Sequence, residues 1–207
     1  MSSAGRLVRS VVRGRGRERS AAFYDGRVPS SAVGPYWRSP YYYLWCVIAD
    51  RLTPLDGRGV LDIGCGTAQL GELLTARGLR RYVGFDFSGA RVMAARERTE
   101  LDVRVADAYT TELLTDAEYD TVVCTEFLEH IDGDLEVLGR LRDGVRVIAT
   151  VPSFPSDGHV RHFRDENEVI ARYGGLIRDL SVSRWVHAGD QTLFLLDGVV
   201  RTSASPA

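Results

Sequence analysis

The segment that most constrains the fold of this chain is residues 60–71, with the sequence VLDIGCGTAQLG. An apolar run with the length of a buried strand leads into a turn with two glycines, Gly64 and Gly66, and then into a helical pattern. A side chain at either glycine would occupy the space of a ligand that approaches the backbone. The segment therefore predicts a strand, turn and helix that bind a nucleotide or a cofactor. A tight turn without any ligand is the alternative interpretation.

Short apolar runs and amphipathic patterns alternate along the rest of the chain. They predict strands at residues 59–63, 82–86, 102–106, 121–125 and 145–151, and helices at residues 40–52, 68–77, 89–98 and 134–142. Ser39 and Pro40 resemble the cap and first turn of the first of these helices. A short helix that closes at Tyr173 precedes two further strands, residues 180–186 and 191–196, with a hairpin turn at residues 187–190. This alternation is typical of an α/β fold with a parallel sheet and helices on both faces.

Length and composition indicate one domain with short extensions. The chain has 207 residues, of which 44% are hydrophobic, enough for a single substantial core. We expect residues 1–22 to form a basic, flexible arm, residues 23–56 a lid segment with its helix, residues 57–198 the main domain, and residues 199–207 a frayed tail. Aromatic residues, glycines and prolines in residues 23–43 favour an ordered covering loop over a flexible linker.

Charge and cysteine content indicate a cytoplasmic protein without a strong attraction for nucleic acid. The 26 basic and 28 acidic residues give a formal charge of −2, so no global field gathers anions. Arginines interrupt the N-terminal apolar stretches, which excludes a signal-peptide core and a membrane span there. The three cysteines are far apart, as expected of reduced thiols. Six arginines and one acid within the first nineteen residues predict either a solvated tail or a docking arm for an acidic carrier, a phosphate-bearing substrate or a membrane surface.

Acidic residues stand at the ends of three successive predicted strands. Asp62 precedes the glycine turn, Asp86 ends the second strand and Asp107 follows the third. Because the carboxyl ends of parallel strands meet at one edge of a sheet, these carboxylates should lie beside the turn. Asp86 could accept the hydroxyl protons of a ribose, Phe87 could form an apolar wall for adenine, and Asp107 could accept from the adenine amine. A strand end or helix cap exposed to solvent is the alternative for each of them.

Residues 60–152 resemble the class I S-adenosylmethionine-dependent methyltransferases. The sequence VLDIGCG matches the first motif of that family, GFDFS at residues 84–88 resembles the second, and YDTVVCTEFLEHI at residues 119–131 is similar to its fourth-strand segment. Ala68 departs from the pattern, because the family often has a third glycine there. The resemblance implies a Rossmann-like, doubly wound, mostly parallel seven-stranded sheet with an antiparallel terminal hairpin strand.

The resemblance also implies roles for individual residues, with S-adenosylmethionine as the cofactor. Gly64 and Gly66 would line its methionine part, and Asp62 would orient its ammonium group. The residues implied to bind the cofactor are Asp62, Gly64, Gly66, Asp86, Phe87, Asp107, Ala108 and Glu126, with Tyr24, Arg38 and Tyr42 of the lid as candidates for its carboxylate.

A group of acids and histidines supplies candidates for the acceptor side. Methyl transfer is an in-line displacement that needs alignment and exclusion of water, and a base helps when the acceptor is protonated. We predict His130, His159 and Glu129 as catalytic residues. Two alternatives stay open. In the first, a divalent metal is bound by Glu126, Glu129, His130 and either His159 or His162, as in the metal-dependent small-RNA 2'-O-methyltransferases. In the second, Glu129 and His130 only support the loop. Our prediction includes no metal.

We predict methyl transfer to a hydroxyl oxygen of a small molecule. Phe23, Trp37, Tyr41 and Phe154 would line a partly apolar acceptor pocket. N-methylation, a metal-dependent RNA 2'-O-methyltransferase and a non-catalytic S-adenosylmethionine-binding protein are the alternatives. A nicotinamide-dependent oxidoreductase is disfavoured, because its fingerprint requires glycine or alanine where this chain has Gln69.

Overall fold

The computed structural model describes residues 12–13, 16–115, 118–189 and 191–201. Its helices and strands, in chain order, are β1 (Val12–Arg13), α1 (Ala21–Asp25), α2 (Ser30–Val33), α3 (Tyr42–Leu52), β2 (Gly59–Ile63), α4 (Gln69–Ala76), β3 (Arg81–Asp86), α5 (Gly89–Arg98), β4 (Asp102–Val105), β5 (Thr121–Cys124), α6 (Asp134–Gly139), β6 (Arg146–Pro152), β7 (Arg161–His162), α7 (Glu166–Tyr173), β8 (Ile177–Ala188) and β9 (Gln191–Val200). The chain divides into two compact units. We call residues 19–125 the glycine-loop unit, and residues 1–18 with 126–207 the histidine unit.

The glycine-loop unit is built on parallel strands in the order β4, β3, β2, β5. Every residue of β2 is buried, because strands pair with it on both sides. This burial explains why its sequence, GVLDI, is almost continuously apolar. Asp62 lies opposite Gly84 of β3 and Val123 of β5, so it belongs to the centre of this group of strands. In α3, the apolar residues at helical spacing are the buried ones.

The histidine unit contains an antiparallel group of strands in the order β6, β9, β8. Strand β9 includes Asp197 and Gly198, residue types that disfavour strands. Arg146 of β6 stabilises Asp197 through two hydrogen bonds of 3.0 and 2.9 Å. A Cβ at Gly198 would lie 2.5 Å from the Ile177 side chain, so close strand packing requires glycine there. These contacts let the hairpin run beyond the predicted residues 180–186 and 191–196.

The predicted fold class is confirmed. Seven strands form a mixed sheet, parallel in the glycine-loop unit and antiparallel at the C-terminal strands, with helices beside it. None of the helices formed by the described residues combines the length and the apolar character needed to cross a membrane. Cys46, Cys65 and Cys124 are not joined in disulfide bonds.

The described residues of the N-terminal arm, 12–13 and 16–22, make defined contacts where we expected a flexible segment. Strand β1 pairs antiparallel with β7, Glu18 accepts a hydrogen bond from the Asp132 N–H (2.7 Å), and α1 begins at Ala21, inside the predicted arm. A Cβ at Gly16 would lie 2.5 Å from the His159 carbonyl oxygen, so this segment passes closely over that residue. Arg6, Arg9 and Arg15 lie outside the described residues.

Several predicted boundaries are also corrected. Ser39 does not cap α3, because Tyr41 occupies the cap position and its N–H donates to the Ser39 hydroxyl (3.2 Å). Helix α6 ends at Gly139 rather than at residue 142. His187, placed in the predicted turn, belongs to β8, and β9 continues to Val200, into the segment expected to be frayed. Residues 202–207 of that tail lie outside the described residues.

Candidate cofactor site and histidine cluster

The turn between β2 and α4 has the backbone conformation that its glycines predicted. Gly64 and Gly66 have φ angles of +70° and +55°, in the left-handed region that favours glycine. Ala68, where the resembled family often has a third glycine, adopts the same region with a φ of +59°. The N–H groups of Gly64 and Cys65 both donate to the Phe85 carbonyl oxygen, at 2.9 and 3.0 Å. These bonds fasten the glycine loop to the end of β3.

Asp86, the last residue of β3, is held directly against this loop. Its carboxylate accepts hydrogen bonds from the N–H of Gly66 (3.0 Å) and the N–H of Ser88 (2.8 Å). The residue is only 5% exposed. Burial raises the pKa of Asp86, while the two N–H donors and the nearby Arg91 charge oppose that shift. The buried carboxylate and the bend of the glycine loop therefore support each other.

Asp62 is a second buried carboxyl group of the same unit. It is 2% exposed and accepts a hydrogen bond from the Tyr82 hydroxyl (2.8 Å). Burial raises the pKa of Asp62 to about 7; the Tyr82 hydrogen bond lowers it and the Asp86 charge raises it further. A Cβ at Gly71 would lie 2.4 Å from the Tyr82 ring, and one at Gly84 would lie 2.7 Å from its hydroxyl. Both glycines make room for the tyrosine that holds Asp62.

The residues predicted to surround adenine have different environments. Asp107 is exposed, and its carboxylate accepts a hydrogen bond from the Tyr109 N–H (2.8 Å), whereas Ala108 is buried. The ring of Phe87 packs against that of Tyr24, with centroids 5.3 Å apart.

The three lid candidates do not form one group. Tyr24 of α1 lies between Phe87 and the Arg91 guanidinium, which is 5.0 Å from the Tyr24 ring centroid. Tyr42 instead packs against the rings of Tyr36 and Tyr43 at centroid distances of 6.1 and 5.4 Å. Arg38 lies in a 3-10 turn and is exposed.

Of the residues predicted for the acceptor pocket, Phe23 lies under the Arg27 guanidinium (3.8 Å to the ring centroid), and Tyr41 packs against Trp45. Trp37 is 59% exposed. Phe154, in the histidine unit, contacts His159 with a centroid distance of 5.8 Å.

The histidine unit brings the predicted catalytic residues together. Glu129 is fully buried, and neither of its carboxyl oxygens has a hydrogen-bond partner within the described part of the chain. Burial raises the pKa of Glu129 well above its usual value, and the nearby Glu126 charge adds to this. Glu126 itself has a φ of +54° and exchanges two hydrogen bonds with Thr150, at 2.9 and 3.0 Å.

The imidazoles of His130 and His159 meet edge to face, with centroids 4.9 Å apart. His130 Nδ1 lies 3.2 Å from the Gly158 carbonyl oxygen, and His159 Nδ1 lies 3.1 Å from that of Phe154. A carbonyl oxygen can only accept, so Nδ1 carries the proton and Nε2 keeps its lone pair in each neutral ring. Burial also lowers the pKa of His159, which favours the neutral form.

Glu129, His130 and His159 each offer one ligand atom, and these atoms lie within 4.8 Å of one another. We call these three residues the histidine cluster. The set could hold a divalent cation or move a proton. Glu126 and His162, both included in the predicted metal alternative, are not part of it. His130 Nε2 lies 3.9 Å from a Glu129 oxygen.

A buried arginine fixes the turn that carries this cluster. Arg161 donates hydrogen bonds to the carbonyl oxygens of Leu128, Ile131 (2.6 Å) and Asp132 (3.0 Å), and it forms an ion pair with Asp134 at 3.3 Å. Three carbonyl groups of the turn are thus satisfied by one side chain.

Sequence reasoning missed the polar residues that support the glycine loop. Thr67 and Gln69 are buried and donate to backbone carbonyls of the lid segment, and Asp25 binds the Ser88 hydroxyl at 2.6 Å. Serine directly before a helical pattern is a recognisable N-cap, so Ser88 had a local signal. Thr67, Gln69 and Asp25 bind residues more than thirty positions away, and no sequence spacing predicts such pairs.

Comparison with known proteins matches part of this chain, residues 60–146, to a protein family. Residues 60–146 match the family model described as a methyltransferase domain. Ubiquinone biosynthesis O-methyltransferase from Alkalilimnicola ehrlichii is 39% identical over 89 residues, covering 41% of this chain and 36% of that protein. Trans-aconitate 2-methyltransferase from Mycolicibacterium gilvum is 33% identical over 175 residues, covering 81% of this chain and 60% of that protein.

The chain contains a class I S-adenosylmethionine-dependent methyltransferase domain. The cofactor of this class is S-adenosylmethionine. Among solved structures, magnesium protoporphyrin IX methyltransferase from Synechocystis PCC 6803, with the cofactor bound, superposes with a TM-score of 0.61 at 18% identity, covering 87% of this chain and 91% of that one. That likeness supports the fold of the methyltransferase domain. The chain spans less than two thirds of the length of the two curated relatives named above.

Removing the Tyr82 hydroxyl should raise the pKa of Asp62 above 7 in the methyltransferase domain. In Tyr82→Phe the buried carboxylate loses its hydrogen-bond donor, and the loss of about 1 kcal/mol corresponds to somewhat less than one pKa unit. Titration of the Asp62 carboxyl carbon by NMR measures the change. The control is Tyr43→Phe at an exposed tyrosine, and an unchanged Asp62 in Tyr82→Phe would contradict the prediction.

Proposed function

We propose that this protein transfers the methyl group of S-adenosylmethionine to a hydroxyl oxygen of a small molecule. The observation that carries the proposal is the buried carboxylate of Asp86, bound to the N–H of Gly66 at the carboxyl end of β3. A carboxylate in this position has lone pairs left to accept the two hydroxyl protons of a ribose.

In this proposal each part of the cofactor has its own contacts. Asp86 binds the ribose, Phe87 covers the adenine, and Asp107 with Ala108 lies at its amine. Gly64 and Gly66 allow the methionine part to approach the backbone. Glu126 is also one of the residues proposed to bind the cofactor. Asp62, with its pKa of about 7, takes the charged form when the ammonium group arrives. Tyr24, Arg38 and Tyr42 stay separate candidates for binding the methionine carboxylate.

The acceptor would be bound and deprotonated by the histidine cluster. A neutral imidazole whose Nδ1 donates to a backbone carbonyl presents its Nε2 lone pair as a base, and His159 and His130 both have this arrangement. Bound S-adenosylmethionine would supply the methyl group, and Nε2 of His159 or His130 would take the hydroxyl proton of the acceptor as its oxygen forms the new bond to the methyl carbon in place of the carbon–sulfur bond. The similarity to ubiquinone biosynthesis O-methyltransferases supports oxygen as the acceptor atom.

We still predict that the arginine-rich N-terminus is a docking arm for an acidic carrier or surface. A cytoplasmic location also stays a prediction.

Incubation with labelled S-adenosylmethionine and small-molecule extracts of the native cell tests the activity, with mass identification of the methylated product.

Asp86→Asn should weaken cofactor binding at least about tenfold, because a charge-assisted contact to the ribose is lost. Calorimetry with S-adenosylhomocysteine measures this. Asp102→Asn is the matched control, since Asp102 is exposed and pairs with Arg104. Unaltered affinity in Asp86→Asn would refute the ribose assignment, and absence of any heat with the wild-type protein would refute the cofactor site.

Replacing the cluster histidines should affect turnover and spare cofactor binding. We expect His159→Asn and His130→Asn each to lower kcat by about a hundredfold, the usual contribution of a general base, with the Kd of S-adenosylhomocysteine nearly unchanged. Single-turnover kinetics with the identified acceptor measures the effect. His187→Asn, a histidine in β8, serves as the control. Full turnover in both cluster variants would remove their proposed role.

A metal-dependent methyltransferase is the second candidate, and the close approach of the three ligand atoms in the histidine cluster favours it. A carboxylate and two imidazole nitrogens suit Zn²⁺, and histidine ligands typically donate their other N–H to a carbonyl, as here. On this candidate one equivalent of Zn²⁺ binds, Glu129→Gln abolishes the binding, and a chelator abolishes methyl transfer. Elemental analysis and chelator titration decide between the two candidates, because activity that survives complete metal removal leaves the general-base function.

A further inference from the structure

The lid segment is fastened to the glycine loop by side chains of the loop itself. The Thr67 hydroxyl donates to the Ala32 carbonyl, and the Gln69 amide donates to the carbonyls of Ser31 (3.0 Å) and Gly34 (2.7 Å). Thr67 and Gln69 are 5% and 6% exposed. This attachment is buried, and it fixes the part of the lid that contains α2.

Helix α1 has a separate, exposed attachment through Asp25. One oxygen of its carboxylate, Oδ1, accepts hydrogen bonds from the Ser88 hydroxyl (2.6 Å) and from the Ala90 N–H (3.1 Å). These donors belong to the first turn of α5, where the positive end of the helix dipole favours an acidic group. Accordingly, the Ser88 and Ala90 hydrogen bonds lower the pKa of Asp25.

Ser88 connects Asp25 to the proposed ribose-binding carboxylate. Its side chain is fully buried; the hydroxyl donates to Asp25 and also accepts from the Arg91 N–H (3.3 Å). The Ser88 backbone N–H donates to Asp86 Oδ1 at 2.8 Å. The N–H of Gly66 holds the other Asp86 oxygen. A continuous series of hydrogen bonds therefore runs from α1 to the glycine loop.

We propose that Asp25 is a positioning residue of the cofactor site, which acts through Ser88 to hold the Asp86 carboxylate in the orientation that binds the ribose hydroxyls. The inference rests on the proposed function, because it assigns the ribose to Asp86.

The Ser88 hydroxyl is the group through which Asp25 acts on Asp86. Ser88 caps α5 as an acceptor from Arg91, and this bond leaves the hydroxyl hydrogen free to rotate toward another acceptor. Asp25 fixes that hydrogen, and with it the side-chain and backbone orientation of Ser88. Without Asp25, the hydrogen bonds from the N–H groups of Arg91 and Val92 still hold Ser88, but the contact that fixes its hydroxyl is lost, and we expect the Ser88 N–H to hold the Asp86 carboxylate less firmly.

The same attachment positions Tyr24 against Phe87. Tyr24 precedes Asp25 in α1, and its ring lies 5.3 Å from that of Phe87, the residue that follows Asp86. Asp25 and Tyr24 thus hold α1 against Ser88 and Phe87, the two residues that follow Asp86. Asp25 itself is exposed, so its replacement removes no side chain from the core; the Ser88 hydroxyl loses its acceptor, and we expect the variants to fold.

The test compares two ligands in two variants: S-adenosylhomocysteine and its 2',3'-dideoxy analogue, which lacks the ribose hydroxyls. Asp25→Ala should weaken binding of S-adenosylhomocysteine about tenfold, as expected for loss of a charge-assisted contact, and leave binding of the dideoxy analogue unchanged. Asp25→Asn keeps an oxygen that can accept both hydrogen bonds, so its affinity for S-adenosylhomocysteine should stay within about threefold of the wild type. Calorimetry gives the four dissociation constants and those of the wild type.

Asp50→Ala is the matched control, because Asp50 is an exposed acid that pairs with Arg77. Equal weakening of both ligands in Asp25→Ala would overturn the proposal, since it would show a general loss of the lid. No weakening of either would do the same. If Asp25→Ala fails to fold by circular dichroism, Ser88→Ala must show the same loss confined to the hydroxyl-bearing ligand. A wild-type protein that binds neither ligand would refute the proposed function, whereas normal wild-type binding with unaffected variants refutes the positioning role by itself.

Discussion

The glycine-loop unit depends on one buried carboxylate that is shared between two backbone turns. Asp86 accepts an N–H from Gly66 and another from Ser88, so it joins the turn after β2 to the turn after β3. A buried charge is tolerated only where donors compensate for its lost hydration. This requirement fixes the bend of the glycine loop, the start of α5 and the spacing of the two strand ends together. The edge that we propose binds the cofactor is formed by these three features, which cannot vary independently.

The histidine unit contains the opposite situation, a buried carboxyl group without hydrogen-bond donors among the described residues. Glu129 is fully buried and has no hydrogen bond to its carboxyl oxygens within the described residues, while Arg161 holds the surrounding turn through carbonyl groups. Such an arrangement costs stability, and unsatisfied or strained groups of this kind are enriched at functional sites. Backbone carbonyl oxygens bind Nδ1 of each of the two histidines beside Glu129. These hydrogen bonds fix the orientation of each ring and with it the position of its Nε2 atom. Both proposed functions of the cluster use this fixed orientation.

Local patterns predicted most of the fold and the centre of the candidate site. β2 and α5 have the predicted boundaries, and the strand-end acids Asp62 and Asp86 lie beside the glycine loop. The predictions failed where a distant partner changes a local preference. Strand β9 continues through Asp197 because Arg146 binds that carboxylate, and the N-terminal arm is paired because β7 offers it an edge. Ser39 had the composition of a cap, but the chain begins the helix two residues later.

The sequence by itself determined the strand–turn–helix unit, the class of fold and the acids at the strand ends, because these depend on residue type, periodicity and glycine conformation within a few positions. The tertiary structure decided which polar groups meet. It placed Tyr82 on Asp62, Asp25 on Ser88 and His159 beside His130, through contacts between residues 20 to 63 positions apart. Such pairs depend on the register of strands and on the course of connecting loops. A side chain's nearest neighbours in sequence contain no information about that course.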